Sequence, residues 1–223
     1  MELQESQKHG SICDSKIMVK PSESVDGTIL RSIRARRSAS VFSARQFEGL
    51  GKPAAVRQAL SRLAKAGKLR RIRQGLYDLP RTHPIIGQTA PDPMAAVRAL
   101  MEGSQSQWQV SGAYAANLLG LSEQVPARIV ILTDGLARQV SLGKLTLTFR
   151  RTAPRNLLGA GRPSGLVIQA LRHLRAAGLE EARLTELGSR LDQKTRDELA
   201  ELSPKLAAWL QPLVKKLTRR EQA

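Results

Sequence analysis

The chain has 223 residues, 41% hydrophobic and only 3% aromatic, so a packed core is feasible but must be built mostly from Leu, Val, Ile and Ala. The formal net charge is +17 and the pI near 11.1, which points to a polyanionic partner, the alternative being a generally solvated basic surface. Cys13 is the sole cysteine, His9, His83 and His173 are scattered, and neither a signal segment nor a membrane-length apolar run is visible; these exclude an intramolecular disulfide, a Cys-based zinc site and a membrane protein, and they fit a cytoplasmic protein without metal or cofactor.

Residues 1–23 are polar, contain Gly10 and lack an apolar period, which predicts a flexible tail. Residues 24–82 carry 14 Lys and Arg against 3 Asp and Glu, so most of the excess charge sits in about a quarter of the chain. A helix is expected from Ser24, with Ile29, Leu30 and Ile33 on one face and Arg34, Arg36 and Arg37 at its end. Ala39–Phe42 can form a short strand. Ser43 is a suitable N-cap for a short helix containing Arg45 and Phe47. After the turn at Gly49 and Gly51, Pro53 suits the first turn of a second long helix. There Val56, Leu60 and Leu63 make one buried stripe, and Gly67 stands where a left-handed cap is expected. Leu69–Ile72, the turn Gln74-Gly75 and Leu76–Leu79 read as a β-ribbon.

Helix, strand, short helix, turn, helix and basic ribbon is the order of a winged helix-turn-helix. The helix opened by Pro53 leaves Lys52, Arg57, Gln58, Ser61, Arg62 and Lys65 outside its buried stripe. Arg and Gln are the side chains that read guanine and adenine edges in a major groove. Arg70, Arg71, Arg73 and Gln74 lie on the ribbon, placed for backbone or minor-groove contact. The expected DNA-binding residues are therefore Arg36, Arg37, Ser43, Arg45, Lys52, Arg57, Gln58, Ser61, Arg62, Arg70, Arg71, Arg73 and Gln74. A module of this shape used only for protein contact is the alternative.

Pro80, Pro84, Pro91 and Pro93 mark a linker, and a mixed α/β unit is expected within 83–163. Of Tyr114, Asn117 and Asp134, which could be imagined as site residues, Tyr114 reads as packing and Asp134-Gly135 as a turn. Arg150, Arg151 and Arg155 form a possible second basic patch, read either as a solvated strand end or as added phosphate contact. The glycine-rich Gly159–Gly165 lacks the Lys-Ser/Thr ending of a phosphate loop and reads as a linker. Residues 164–223 are expected to be helical. Ser164 is the predicted cap of a helix with Val167, Leu171 and Leu174 inward. Ser203-Pro204 are expected to open another helix, striped by Leu206, Leu210, Leu213 and Leu217 and kinked or split at Gln211 by Pro212. That stripe serves packing or, alternatively, a dimer seam. The fold class expected is α+β, and no nucleophile–base pair or carboxylate cluster marks an enzyme.

Ser40–Phe47, Val56–Leu63 and Gly67–Tyr77, followed by Pro93–Glu102, Val110–Gly120, Arg128–Thr133 and Lys144–Phe149, resemble AbiEi-type antitoxins of type IV toxin–antitoxin systems, which act in phage defence. The resemblance covers about 40–155 and implies a helix over Pro93–Glu102, a small-residue helix within Val110–Gly120, and strands over Arg128–Thr133 and Lys144–Phe149. It implies a bacterial, nucleoid-associated autorepressor that binds repeats in its own promoter. It also implies that the second unit counters a co-encoded nucleotidyltransferase-type toxin without a stable complex, the chain itself being a monomer or weak homodimer. The polar N-terminal tail and long helical C-terminus depart from that pattern. The competing reading is a plain winged-helix regulator whose second unit senses a ligand or dimerises.

Overall fold

A computed structural model describes residues 24–35, 41–85, 87–124, 126–177 and 179–219. The predicted polar tail, and Arg36 and Arg37, lie outside the described residues. The fold is α+β. It begins with α1 (Val25–Ala35), β1 (Val41–Ser43), a 3₁₀ turn at Ala44–Phe47 and α2 (Pro53–Lys65). β2 (Arg70–Arg73) and β3 (Leu76–Asp78) follow, and the three strands make an antiparallel sheet in the order β1-β3-β2.

This sheet separates two cores, and strand alternation decides which residue serves which. Phe42 and Tyr77 lie on the face shared with α1 and α2, packed with Ile29, Ile33, Phe47, Val56, Leu60 and Leu63. Val41 and Leu76, one residue along, lie on the opposite face and belong to the next core. Helix α2 ends in a Schellman motif. The Gly67 N–H bonds to the Ala64 carbonyl and the Lys68 N–H to that of Leu63, with Gly67 at φ 69°. Ser43 stands before the 3₁₀ turn as expected, but its side chain makes no capping bond.

A two-stranded hairpin, β4 (Thr82–His83) and β5 (Gly87–Gln88), occupies the expected linker. Helix α3 (Pro93–Met101) is capped by Asp92, whose carboxylate accepts from the Met94 and Ala95 N–H groups. A four-stranded sheet follows from β6 (Trp108–Val110), β7 (Arg128–Thr133), β8 (Arg138–Leu142) and β9 (Leu145–Arg151), with α4 (Ala113–Leu118) between the first two. Its order is β6-β7-β9-β8; β7 and β9 run parallel and the other pairs antiparallel. The alanine-rich α3 joins the two sheets. Ala95, Ala96, Val97, Ala99 and Met101 share one core with Val41 and Leu76 and with Ile129, Ile131, Leu147 and Phe149. Tyr114 is buried in that core, and burial, with Asp92 nearby, raises its phenol above the usual value.

After a 3₁₀ turn at Pro154–Asn156, the remainder is helical: α5 (Pro163–Ala177), α6 (Glu181–Arg190), α7 (Gln193–Leu202) and α8 (Gln211–Thr218). Three expectations are corrected here. Helix α5 starts at Pro163 rather than at a Ser164 cap, and the buried Ser164 hydroxyl donates to the Glu198 carboxylate of α7. Gly159–Gly165 is a close-packed corner rather than a free linker, because a Cβ on Gly165 would lie 2.2 Å from the Gly159 carbonyl oxygen. Ser203–Lys205 forms only a 3₁₀ turn rather than the start of a long helix, and of the two outcomes expected at Pro212 the structure takes the split, with α8 starting at Gln211. A proline lacks only an N–H that the first turn of a helix leaves unpaired, so a helix start there costs less than a kink. Leu206, Leu210 and Leu217 are buried with Val167, Leu171, Leu174 and Leu199. They are therefore not available as a dimer seam. Among the described residues no helix is long and apolar enough to cross a membrane.

Candidate nucleic-acid interface

Helix α2 buries Val56, Ala59, Leu60 and Leu63 against α1 and the 3₁₀ turn, so its remaining faces are fixed by the 3.6-residue period. Lys52, Arg57, Gln58, Arg62 and Lys65 are exposed and Ser61 is half-buried. Arg62 points toward α1, where its Nε and Nη2 grip the Asp26 carboxylate, the former at 3.1 Å. That hydrogen bond holds the Asp26 carboxyl below its usual value. The outward row is thus Gln58, Ser61 and Lys65, with Arg57 on one flank and the neutralised Arg62 on the other.

The ribbon distributes its three arginines differently. Arg70 pairs across the sheet with Asp78, Nε to Oδ1 at 2.9 Å, and its Nη2 also reaches the Thr89 carbonyl at 2.9 Å. Asp78 is 1% exposed, so Arg70 neutralises a buried acid and ties the β4–β5 hairpin to the sheet. Arg71 pairs with Tyr77 and is exposed. A register shift then brings Arg73 opposite Leu76, on the other face. Bulges re-aim side chains in this way. Gln74 and Gly75 form the exposed tip, with Gly75 at φ 77°.

Ser43 and Arg45 turn toward α3. The Ser43 hydroxyl lies 3.5 Å from a Glu102 carboxylate oxygen, and Arg45 Nη1 donates to the Glu102 carbonyl at 3.3 Å. Arg138 of β8 donates to the Leu100 carbonyl at 2.9 Å and lies over the Phe149 ring. The two guanidinium groups thus meet the carbonyl end of α3, where the helix carries partial negative charge. Beside them is an open cleft of about 850 Å³. Arg57 and Arg73 line it from the N-terminal part, Arg138 and Arg151 from the four-stranded sheet, with Glu102 and Asp134 the acids among the described residues.

The second basic patch does not gather. Arg150 and Arg151 are adjacent on β9 and emerge on opposite faces, Arg151 into this cleft and Arg150 into a separate pocket with Arg172. Arg155 is exposed on the turn beyond. The part played by Arg138 in the cleft had no local sequence signal, because it depends on pairing between β8 and β9. Among the described residues no group of three His, Cys, Asp or Glu side chains could hold a metal ion. The residues that meet at α2 and the cleft offer cationic and amide donors, suited to phosphate and base edges.

A family of unknown function, DUF6088, matches residues 28–199. No curated protein matches the chain.

Proposed function

The chain belongs to the DUF6088 family, and we propose that it is a double-stranded-DNA-binding regulator in which residues 24–82 act as a winged helix-turn-helix, α2 reading bases and the β2–β3 ribbon serving as the wing. The observation that carries this reading is the outer face of α2: Gln58, Ser61 and Lys65, flanked by Arg57, in the segment that concentrates the positive charge. The element order and the β1-β3-β2 sheet support it. The test is a mobility-shift titration of the full chain at several salt concentrations on fragments of its own promoter. Affinity should fall steeply with salt as counterions are released. Arg57→Ala should cost about 1–3 kcal/mol on the cognate site and relax its sequence preference. An unaltered preference would mean that α2 does not read bases.

The AbiEi-type resemblance extends the proposal to an autorepressing antitoxin whose remaining residues counter a nucleotidyltransferase-type toxin encoded next door. Co-expression with that toxin separates the two roles. Arg57→Ala combined with Arg71→Ala should lose promoter repression yet retain rescue. If the intact chain never rescues, a plain regulator remains.

A further inference from the structure

The DNA reading leaves a pocket of about 280 Å³ unused. It lies on the face of β9 opposite the arginine cleft, at the carboxyl ends of the parallel strands β7 and β9. Open α/β sheets commonly hold ligands at that end. Leu132, Arg150 and Thr152 border it from the sheet side, and α5 closes it with Gln169, Arg172 and His173. No Asp or Glu lines it among the described residues.

Arg172 is half-buried, and burial pushes its guanidinium below the usual value. Its partners among the described residues are neutral: Nη1 donates to Asn156 Oδ1 at 3.1 Å and Nη2 to the Arg155 carbonyl at 3.4 Å. Other inward guanidinium groups of this chain are better compensated. Arg70 meets the buried Asp78, and Arg196 reaches the carbonyls of Gly188, Leu191 and Leu217. Gln169, 2% exposed, donates its amide to the Asn156 carbonyl and so steadies the turn that holds Arg172. Arg150 adds a second, exposed guanidinium to the same pocket. Desolvating a cation without an acid is costly, and an anion with several acceptor oxygens would offset that cost.

We infer that this pocket binds the phosphoryl group of a small phosphorylated ligand, with Arg150 and Arg172 as its charged donors and Asn156 and Gln169 as positioning residues for Arg172. The volume lies just below the usual small-molecule range of about 300–1,000 Å³. It suits a compact phosphate monoester rather than a duplex. The site does not depend on the DNA reading.

Inorganic phosphate is the probe, titrated calorimetrically into the full chain at constant ionic strength, with chloride as the balancing anion. A saturable heat and a rise in the thermal midpoint are expected. Arg172→Gln and Arg150→Gln should each weaken phosphate binding by about tenfold or more. Arg151→Gln, on the opposite face, should leave it unchanged. Arg150 is exposed, so Arg150→Gln keeps the test valid even if Arg172→Gln fails to fold. No saturable heat, or an unchanged affinity in Arg150→Gln, overturns the inference. Duplex affinity in phosphate-free buffer distinguishes the sources of phosphate. It should be unaltered in Arg150→Gln; a loss there, without phosphate binding, assigns the pocket to the DNA backbone and also overturns the inference.

Discussion

Arg70 and Arg71 are neighbours on one strand, and alternation sends them to opposite faces with different tasks. Arg70 faces an acid that is 1% exposed, so replacing it by Ala leaves a buried carboxylate without its partner. The expected loss in a urea titration is roughly 3 kcal/mol, at the low end for a broken buried pair because Arg70 keeps partial contact with water. Arg70→Ala combined with Asp78→Ala should lose less than the first change alone. Arg71→Ala should leave stability within about 0.5 kcal/mol of wild type and lower DNA affinity on all sequences alike. Equal stability losses at Arg70 and Arg71 would contradict this division. Asp26 gives a pH signature. Its carboxyl is held below the ordinary 3.8 by Arg62, so the pair stabilises fully above that value and fades as pH falls through the lower folded-state value. The stability gap between wild type and Asp26→Asn should therefore be constant near neutrality and shrink below about pH 4. A gap that grew on acidification would reverse the assignment.

Elements whose signals are local were legible in the sequence. Pro53, the Val56–Leu63 stripe and Gly67 bounded α2 correctly, because a first-turn proline, a 3.6-residue period and a left-handed cap all act within a few residues. Strand β7 at Arg128–Thr133 coincides with a strand that the family resemblance implied. Strand β8, RQVSL, was not anticipated; its two buried residues gain meaning only beside β9. Pro212 marked a kink or a split at Gln211, and the chain splits there; the long helix expected from Ser203 was the part that misled, because Leu206–Leu217 keep helical spacing while the chain turns at Ala207–Leu210. In the candidate interface the outward side chains of α2 were legible. The internal partners of Arg45, Arg62 and Arg70 were not, since Glu102, Asp26 and Asp78 come from other elements. The cap at Gly67 is testable at this scale. Its φ of 69° is strained for any side chain although a Cβ there meets nothing within 4 Å. Gly67→Ala should thus cost about 1 kcal/mol through conformation alone. Thermal unfolding should show a lowered midpoint, and an unchanged one would remove the argument for the Schellman cap.

At the scale of the molecule, the three cores share elements. Val41 and Leu76 sit in the sheet that covers α1 and α2, yet their side chains pack with α3 and the four-stranded sheet. Tyr114 of α4 belongs to that middle core, while Ala115 and Ala116 of the same helix belong to the C-terminal one. A fragment ending near Pro80 would expose Val41 and Leu76 and remove the Thr89 carbonyl from Arg70, so DNA binding is better tested on the full chain. The two tryptophans report on this coupling. Trp108 packs against the middle core, and Trp209 lies under the Arg175 guanidinium at 4.2 Å in the C-terminal one. Val41→Ala removes two methyl groups from a site that is 1% exposed, at a cost of about 2 kcal/mol. If the sheet couples the parts, that change should lower the urea midpoint reported by Trp108 in a Trp209→Phe background, although Val41 lies in the N-terminal part. Independent parts would leave the Trp108 transition where it was, because Val41 would then stabilise only the segment that precedes the β4–β5 hairpin.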